Sequence, residues 1–302
     1  MLKGWKYGWM TALLHLAPYR LSGRNVCPKA SPACAEACLN TAGRGQMNSV
    51  QRARLNKTKY FFKNRSGFLW QLSREIEMLK KRVTRKGYRF AVRLNGTSDL
   101  SWEKFKLLDG QSLQDLHPDV QFYDYTKILN RLESLPKNYH MTFSYSGANQ
   151  DECIKAADRG FNVATVFHGS LPRKWLGMRV INGDDHDLRF QDPAGVVVGL
   201  VAKGKARKQM SSFVVQPWSG GSVYFSSFLC AVTLDFLQRP SWFFANGLRE
   251  PDISFHVPRW AVGASLNIKQ QGVRLEAPAP PPPPPPLELK FRVDIYPIWS
   301  YM

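Results

Sequence analysis

Between Phe90 and Ala202 the chain repeats one pattern: a short run of β-branched and aromatic residues, a polar interval, then another run. The runs are Phe90–Leu94, Val120–Tyr125, His140–Phe143, Val163–Phe167, Arg179–Ile181 and Val196–Val201. Several are nearly continuous apolar runs rather than alternating ones, which suits strands buried on both faces, as in a parallel sheet. Parallel neighbours need crossover connections, usually helical. Leu69–Lys86 supplies one, with Leu69, Leu72, Ile76 and Leu79 at helical spacing and a basic outer face. Ile128–Leu135 and Asp151–Arg159 read as shorter ones. A further strand is expected over Trp9–Leu16. The fold class is α/β, with a mainly parallel sheet, open or partly barrel-like.

After about Gln216 the pattern stops. Pro217, Gly220 and Gly221 interrupt it, tryptophan and phenylalanine recur without period, and an unbroken proline run occupies Pro280–Pro286. Such a run packs in neither sheet nor helix and forms a polyproline II spacer. The chain therefore divides into an α/β domain over 1–216, with its cysteine loop near the amino terminus, and an aromatic and proline-rich tail over 217–302. The tail reads as a poorly ordered appendage: a linker with a docking end, or a product of frame or fusion.

Charge is also uneven. Residues 1–88 hold 18 lysines and arginines against three acids, a net of +15 out of +19 for the whole chain. A cationic face attracts polyanions, and nucleic acid or a nucleotide is the expected partner. Arg52, Arg54, Lys57, Lys59, Lys63 and Arg65 are the candidate phosphate contacts, interleaved with Tyr60, Phe61, Phe62, Phe68 and Trp70, aromatics suited to stacking on bases or to packing between two helices. The five cysteines do not pair regularly, no stretch is apolar for the roughly 18 residues a membrane span needs, and Trp9–Ala17 lacks the features of a cleavable leader. A cytoplasmic, reducing setting is expected.

Cys27, Cys34 and Cys38 fall in the spacing C-x6-C-x3-C, the first in a loop containing Pro28 and Pro32, the last two on one helical face. Three converging thiolates make a soft metal site. A cubane iron–sulfur cluster suits three local cysteines and one external ligand. Zinc suits four protein ligands, but the nearest histidines are His15 and His117. Three free thiols are the remaining reading.

The strings Asn25-Val-Cys-Pro and Cys38-Leu-Asn-Thr-Ala-Gly-Arg-Gly, with Val92-Arg-Leu-Asn-Gly-Thr-Ser-Asp, Phe122-Tyr-Asp-Tyr-Thr-Lys, Asn138-Tyr-His-Met-Thr-Phe-Ser and Val198-Gly-Leu-Val-Ala-Lys-Gly-Lys-Ala, resemble the phage gene product 88 family over roughly residues 8–215. That resemblance implies a phage protein in the cytoplasm of an infected bacterium and no particular activity. More widely, the order of strand, cysteine loop and α/β units is similar to that of radical-SAM enzymes, whose usual spacing is C-x3-C-x2-C. This second resemblance implies a 4Fe-4S cluster on Cys27, Cys34 and Cys38 that binds S-adenosylmethionine. It also implies a cofactor contact by the turn Gly96, Thr97 and Asp99, with Gly96 letting the backbone approach and Asp99 receiving the amine.

Asp124 and Lys127 end a strand, where α/β sheets place their sites, and read as catalytic candidates or as a surface ion pair. His140 lies inside an apolar strand, as a core histidine or a catalytic one. Asn182–Arg189 crowds Asp184, Asp185, His186 and Asp187 into a solvated turn or a divalent-metal site. Ala202–Lys208 is a basic loop open to phosphate. Two functions follow: an iron–sulfur, S-adenosylmethionine-dependent enzyme acting on a nucleotide or nucleic acid, or a non-catalytic nucleic-acid-binding protein stapled by a cysteine-ligated structural metal.

Overall fold

The first strand, β1 (Trp9–Leu13), pairs not with its successor in a hairpin but with β2 (Arg89–Arg93), in parallel and in the register Trp9 to Arg89. In this computed structural model, which describes residues 3–217 apart from 108, 109 and 209, everything between those strands is helix and loop. Three helices lie there: α1 (Pro32–Glu36), α2 (Asn48–Lys63) and α3 (Arg65–Thr84). Asn64 separates the last two; its Oδ1 accepts the Gly67 N–H at 2.9 Å and caps α3. After β2 come α4 (Leu113–Leu116), β3 (Gln121–Thr126), β4 (Tyr139–Ser144), α5 (Gln150–Asp158) and β5 (Val163–Phe167). The series ends with β6 (Lys174–Trp175), β7 (Met178–Asn182), β8 (Val196–Val201) and β9 (Val214–Val215).

Among the described residues these strands form one open sheet in the order β1-β2-β3-β4-β5-β8-β7-β6, with β9 also on β5. Every pairing is parallel except the β6–β7 hairpin at the edge. The continuous apolar runs thus became parallel strands, as their pattern implies. β4 pairs only with the start of β5, at Val163 and Ala164, and β9 takes the later positions Val166 and Phe167. The sheet therefore splits between β4 and β5 at its carboxyl end.

One face packs on α3, whose Phe68, Leu69, Leu72, Ile76, Leu79 and Val83 meet Phe90, Val92, Leu94, Phe122, Met141 and Phe143. The crossover expected over Ile128–Leu135 is a single 3-10 turn, Leu129–Glu133. The link from β3 to β4 is short, and Pro136 cannot continue a helix. The tail over 217–302, with its proline run, lies almost wholly outside the described residues, as does Cys230. No helix among the described residues is long and apolar enough to cross a membrane.

The other face is covered by the loop after β7. Asp187 of that loop is spent on neighbours across the sheet. Asp187 accepts from Arg93 Nη1 at 3.1 Å, Tyr123 OH at 3.1 Å and Tyr125 OH at 3.4 Å. Phe190 sits edge-on to Trp9 and Tyr123, and Arg189, fully buried, forms an ion pair with Asp192 at 3.3 Å. Asp184 and Asp185 do form a turn, with Asp185 exposed, whereas Asp187 and Arg189 belong to an internal plug. The partners of Asp187 lie 62 to 94 residues away in sequence, beyond the reach of local pattern.

Candidate functional site

The carboxyl ends of β1 to β4 are roofed by the cysteine loop. The chain leaves β1 through Leu14 and His15, turns at Tyr19, and returns so that Val26 N donates to Tyr19 O and Val26 O accepts from Asp99 N at 2.8 Å. Tyr19 has a positive φ of 49°, costly for a bulky residue. In that conformation its N–H points at Cys27 Sγ, 3.4 Å away. Cys27 Sγ in turn lies 3.7 Å from Thr97 O on the turn after β2. Further along, Ser31 caps α1 by accepting Cys34 N at 3.1 Å and donates to Ser146 O beyond β4. Ala37 then packs against Ala202, Ala206 and Val214. The loop thus reaches from the end of β2 to the end of β8.

Lys127, just past β3, stands among the three cysteines. Burial opposes its charge, but Cys34 and Asp99 are the largest of the acidic influences that raise it, and the ammonium is held above its ordinary range. Its Nζ donates to Ser144 Oγ at 3.4 Å and its N–H to Asp99 Oδ2 at 2.8 Å. Burial pushes the Cys27 thiol up to about 12 and raises Cys38 as well, so both are protonated in the bare protein. The donors suit a soft metal by chemistry. Their positions do not: among the described residues no three His, Cys, Asp or Glu side chains are arranged to hold a metal ion.

The turn after β2 is on this rim, but its polar groups have internal duties. Asp99 accepts from Thr126 Oγ1 at 2.8 Å, Lys127 N and Arg131 Nη1 at 3.0 Å, so a cofactor amine would have to displace one of them. Thr97 Oγ1 donates to Leu16 O at 2.5 Å. Gly96 is required by packing: a Cβ there would lie 2.6 Å from His15 Nδ1 and 2.8 Å from Leu14 O. The glycine admits a histidine of its own chain. His15 is kept neutral, its pKa lowered well below the ordinary value by burial and then by Arg54, Lys57 and Arg93.

Asp124 is fully buried one step below the rim. It accepts from Asn95 N at 2.8 Å and Tyr139 OH at 2.6 Å, which makes it an anchor of the turn. Burial raises its pKa to about 6, partly offset by the Tyr139 hydroxyl and Arg93. The folded chain therefore binds this proton more tightly than the unfolded chain does. The stability Asp124 contributes is full below about pH 4 and is lost as pH rises towards 6. Urea unfolding from pH 4 to 7 should show the wild type losing stability relative to Asp124→Asn, by at most about 1.4 kcal/mol per pH unit. A difference that stays constant across that range would contradict the shift. His140 lies apart, near the amino end of β4 on the plugged face, where burial and Arg189 lower its pKa to about 4.

Of the six basic residues proposed to face a polyanion, Arg52, Lys59, Lys63 and Arg65 are exposed, whereas Arg54 and Lys57 are 4% and 5% accessible. The latter two are corrected to interior positions. They share the inward face of α2 with Thr58 and Phe61, and Arg54 Nη1 binds Asn40 Oδ1 beneath the cysteine loop. Sequence reasoning also missed Arg131. It is fully buried and joins Asp99 to Glu103 through bonds of 3.0, 3.0 and 2.8 Å. Asn95 was missed as well; its Oδ1 accepts from Ser98, Leu100 N and Trp102 Nε1.

These features define an open parallel α/β protein with a cysteine-bearing loop roofing the carboxyl ends of its first strands. The chain belongs to the gene product 88 family: the model of that family, described as Gene product 88, matches residues 2–217. No curated protein matches the chain, and no solved structure does.

Proposed function

We propose that this protein is an enzyme acting on a nucleotide or nucleic acid above the ends of β1 to β4, with Cys27, Cys34 and Cys38 as the ligands of an iron–sulfur cluster. The observation that carries this reading is that the cysteine loop crosses the rim where parallel α/β sheets bind their substrates, with Cys27 Sγ 3.7 Å from Thr97 O after β2 and the Cys34 helix capped by Ser31, which donates to Ser146 O after β4. A cubane held by Cys27, Cys34 and Cys38 would leave one iron open and would supply one-electron chemistry, with S-adenosylmethionine as the proposed cosubstrate. The three sulfurs would have to draw together for ligation. The chain's own part is to present a desolvated cation, Lys127, to an anionic substrate group, with Ser144 beside it.

Anaerobic purification followed by iron, acid-labile sulfide and zinc analysis tests the proposal. One cubane gives about four iron and four sulfide per chain, lost on Cys34→Ala. About one zinc without iron favours the second reading, a nucleic-acid-binding protein with a structural metal. Neither metal removes the cluster and leaves the cysteines as thiols.

A further inference from the structure

The outer face of α3 carries Trp70, Arg74 and Met78 at four-residue steps, so they form one stripe along the helix. Trp70 is 58% exposed and Met78 59%, although the opposite face of the same helix is fully occupied by the core. Folding does not account for a tryptophan there, since large aromatics are usually well buried. The Arg74 guanidinium lies 4.9 Å from the Trp70 ring centroid, which holds the indole in place. Arg82 and Arg85 are exposed one and two turns further on. Glu77, on the same helix, is neutralised by Lys80 at 3.2 Å and Lys81 at 3.5 Å.

The stripe begins near the site. α3 leads into the amino end of β2, so its own amino end lies on the rim side of the sheet. There Arg65 covers the Phe61 and Phe105 rings, and α2 turns Arg52, Lys59 and Lys63 outward. A cationic path with one flat, accessible ring suits a single strand, whose bases present open faces and whose backbone needs countercharge. A duplex keeps its bases stacked inside and offers the ring nothing.

We propose that this surface is a track for single-stranded nucleic acid, with Trp70 as its stacking platform, leading along α3 to the rim. The proposal rests on the nucleic-acid reading above. The test is an anisotropy titration of the full chain with a labelled thymidine oligonucleotide across a salt series, for the wild type, Trp70→Ala, Trp70→Phe, and the triple variant Arg52→Ala, Lys59→Ala, Lys63→Ala. Trp70→Ala should weaken binding roughly ten- to a hundredfold without changing the salt slope, because the ring carries no charge. Trp70→Phe should keep most of the affinity. The triple variant should lower the slope by about two, at roughly 0.7 per single-strand phosphate contact. Wild-type binding that Trp70→Ala leaves intact overturns the track but not the nucleic-acid reading. No wild-type binding at low salt overturns both.

Discussion

Replacing Arg131 with methionine should cost about 3–5 kcal/mol and lower the urea midpoint accordingly, a large share of the roughly 5–15 kcal/mol of an ordinary domain. Among the described residues the guanidinium is the one cation ion-paired with either of two buried carboxylates, Asp99 at 3.0 Å and Glu103 at 2.8 Å. Without it Glu103 stays desolvated and uncompensated, and Asp99 keeps only the hydrogen bonds from Thr126 and Lys127 N and the field of the Lys127 ammonium. Arg131→Lys should fall between, because one ammonium cannot reproduce the two-pronged contact with Glu103. Equal midpoints for wild type and Arg131→Met would show that the pair is not desolvated as described. The same arginine fixes Asp99, and Asp99 fixes Lys127, so the loss of stability should come with a disturbed rim.

Trp102→Ala should be comparably damaging, about 3–5 kcal/mol. Its ring is fully buried between Phe61, Phe68 and Phe105, and its Nε1 donates to Asn95 Oδ1 at 2.9 Å. Trp102→Phe keeps the ring contacts and loses only the hydrogen bond, a cost of about 1–2 kcal/mol. Equilibrium unfolding of both variants separates the terms. If Trp102→Phe were as unstable as Trp102→Ala, the bond to Asn95 rather than the packing would hold the turn.

The sheet was legible because burial on both faces writes itself as nearly unbroken apolar runs: Val163–Phe167 and Val196–Val201 need no partner to be recognised. The rim was legible in outline, since a strand followed by Asn95-Gly-Thr-Ser-Asp or by Asp124-Tyr-Thr-Lys places polar groups at a carboxyl end. What they bind was not. Asp99 and Asp124 are engaged by Arg131, Tyr139 and a backbone N–H, partners set by tertiary register. The inward face of α2 was illegible for a different reason. Arg54, Lys57, Thr58 and Phe61 follow the i, i+3, i+4, i+7 spacing of a buried helix face, but three of the four are polar, and a search for apolar period passes over them.

The pairing of β1 with β2 has a consequence for how the chain is made. Trp9 meets Arg89, 80 residues later in synthesis. At about 5–20 residues per second, β1 waits roughly 4 to 16 s before its partner exists. During that wait α2 and α3 can form and bring Phe61 against Phe68, but Trp102, which completes their cluster, comes later still. The amino-terminal strand is therefore the first part of the sheet to be made and cannot be its nucleus. The pairs β3 with β4 and β5 with β8, closer in sequence, are free to assemble sooner after they emerge, and β1 joins a scaffold begun without it.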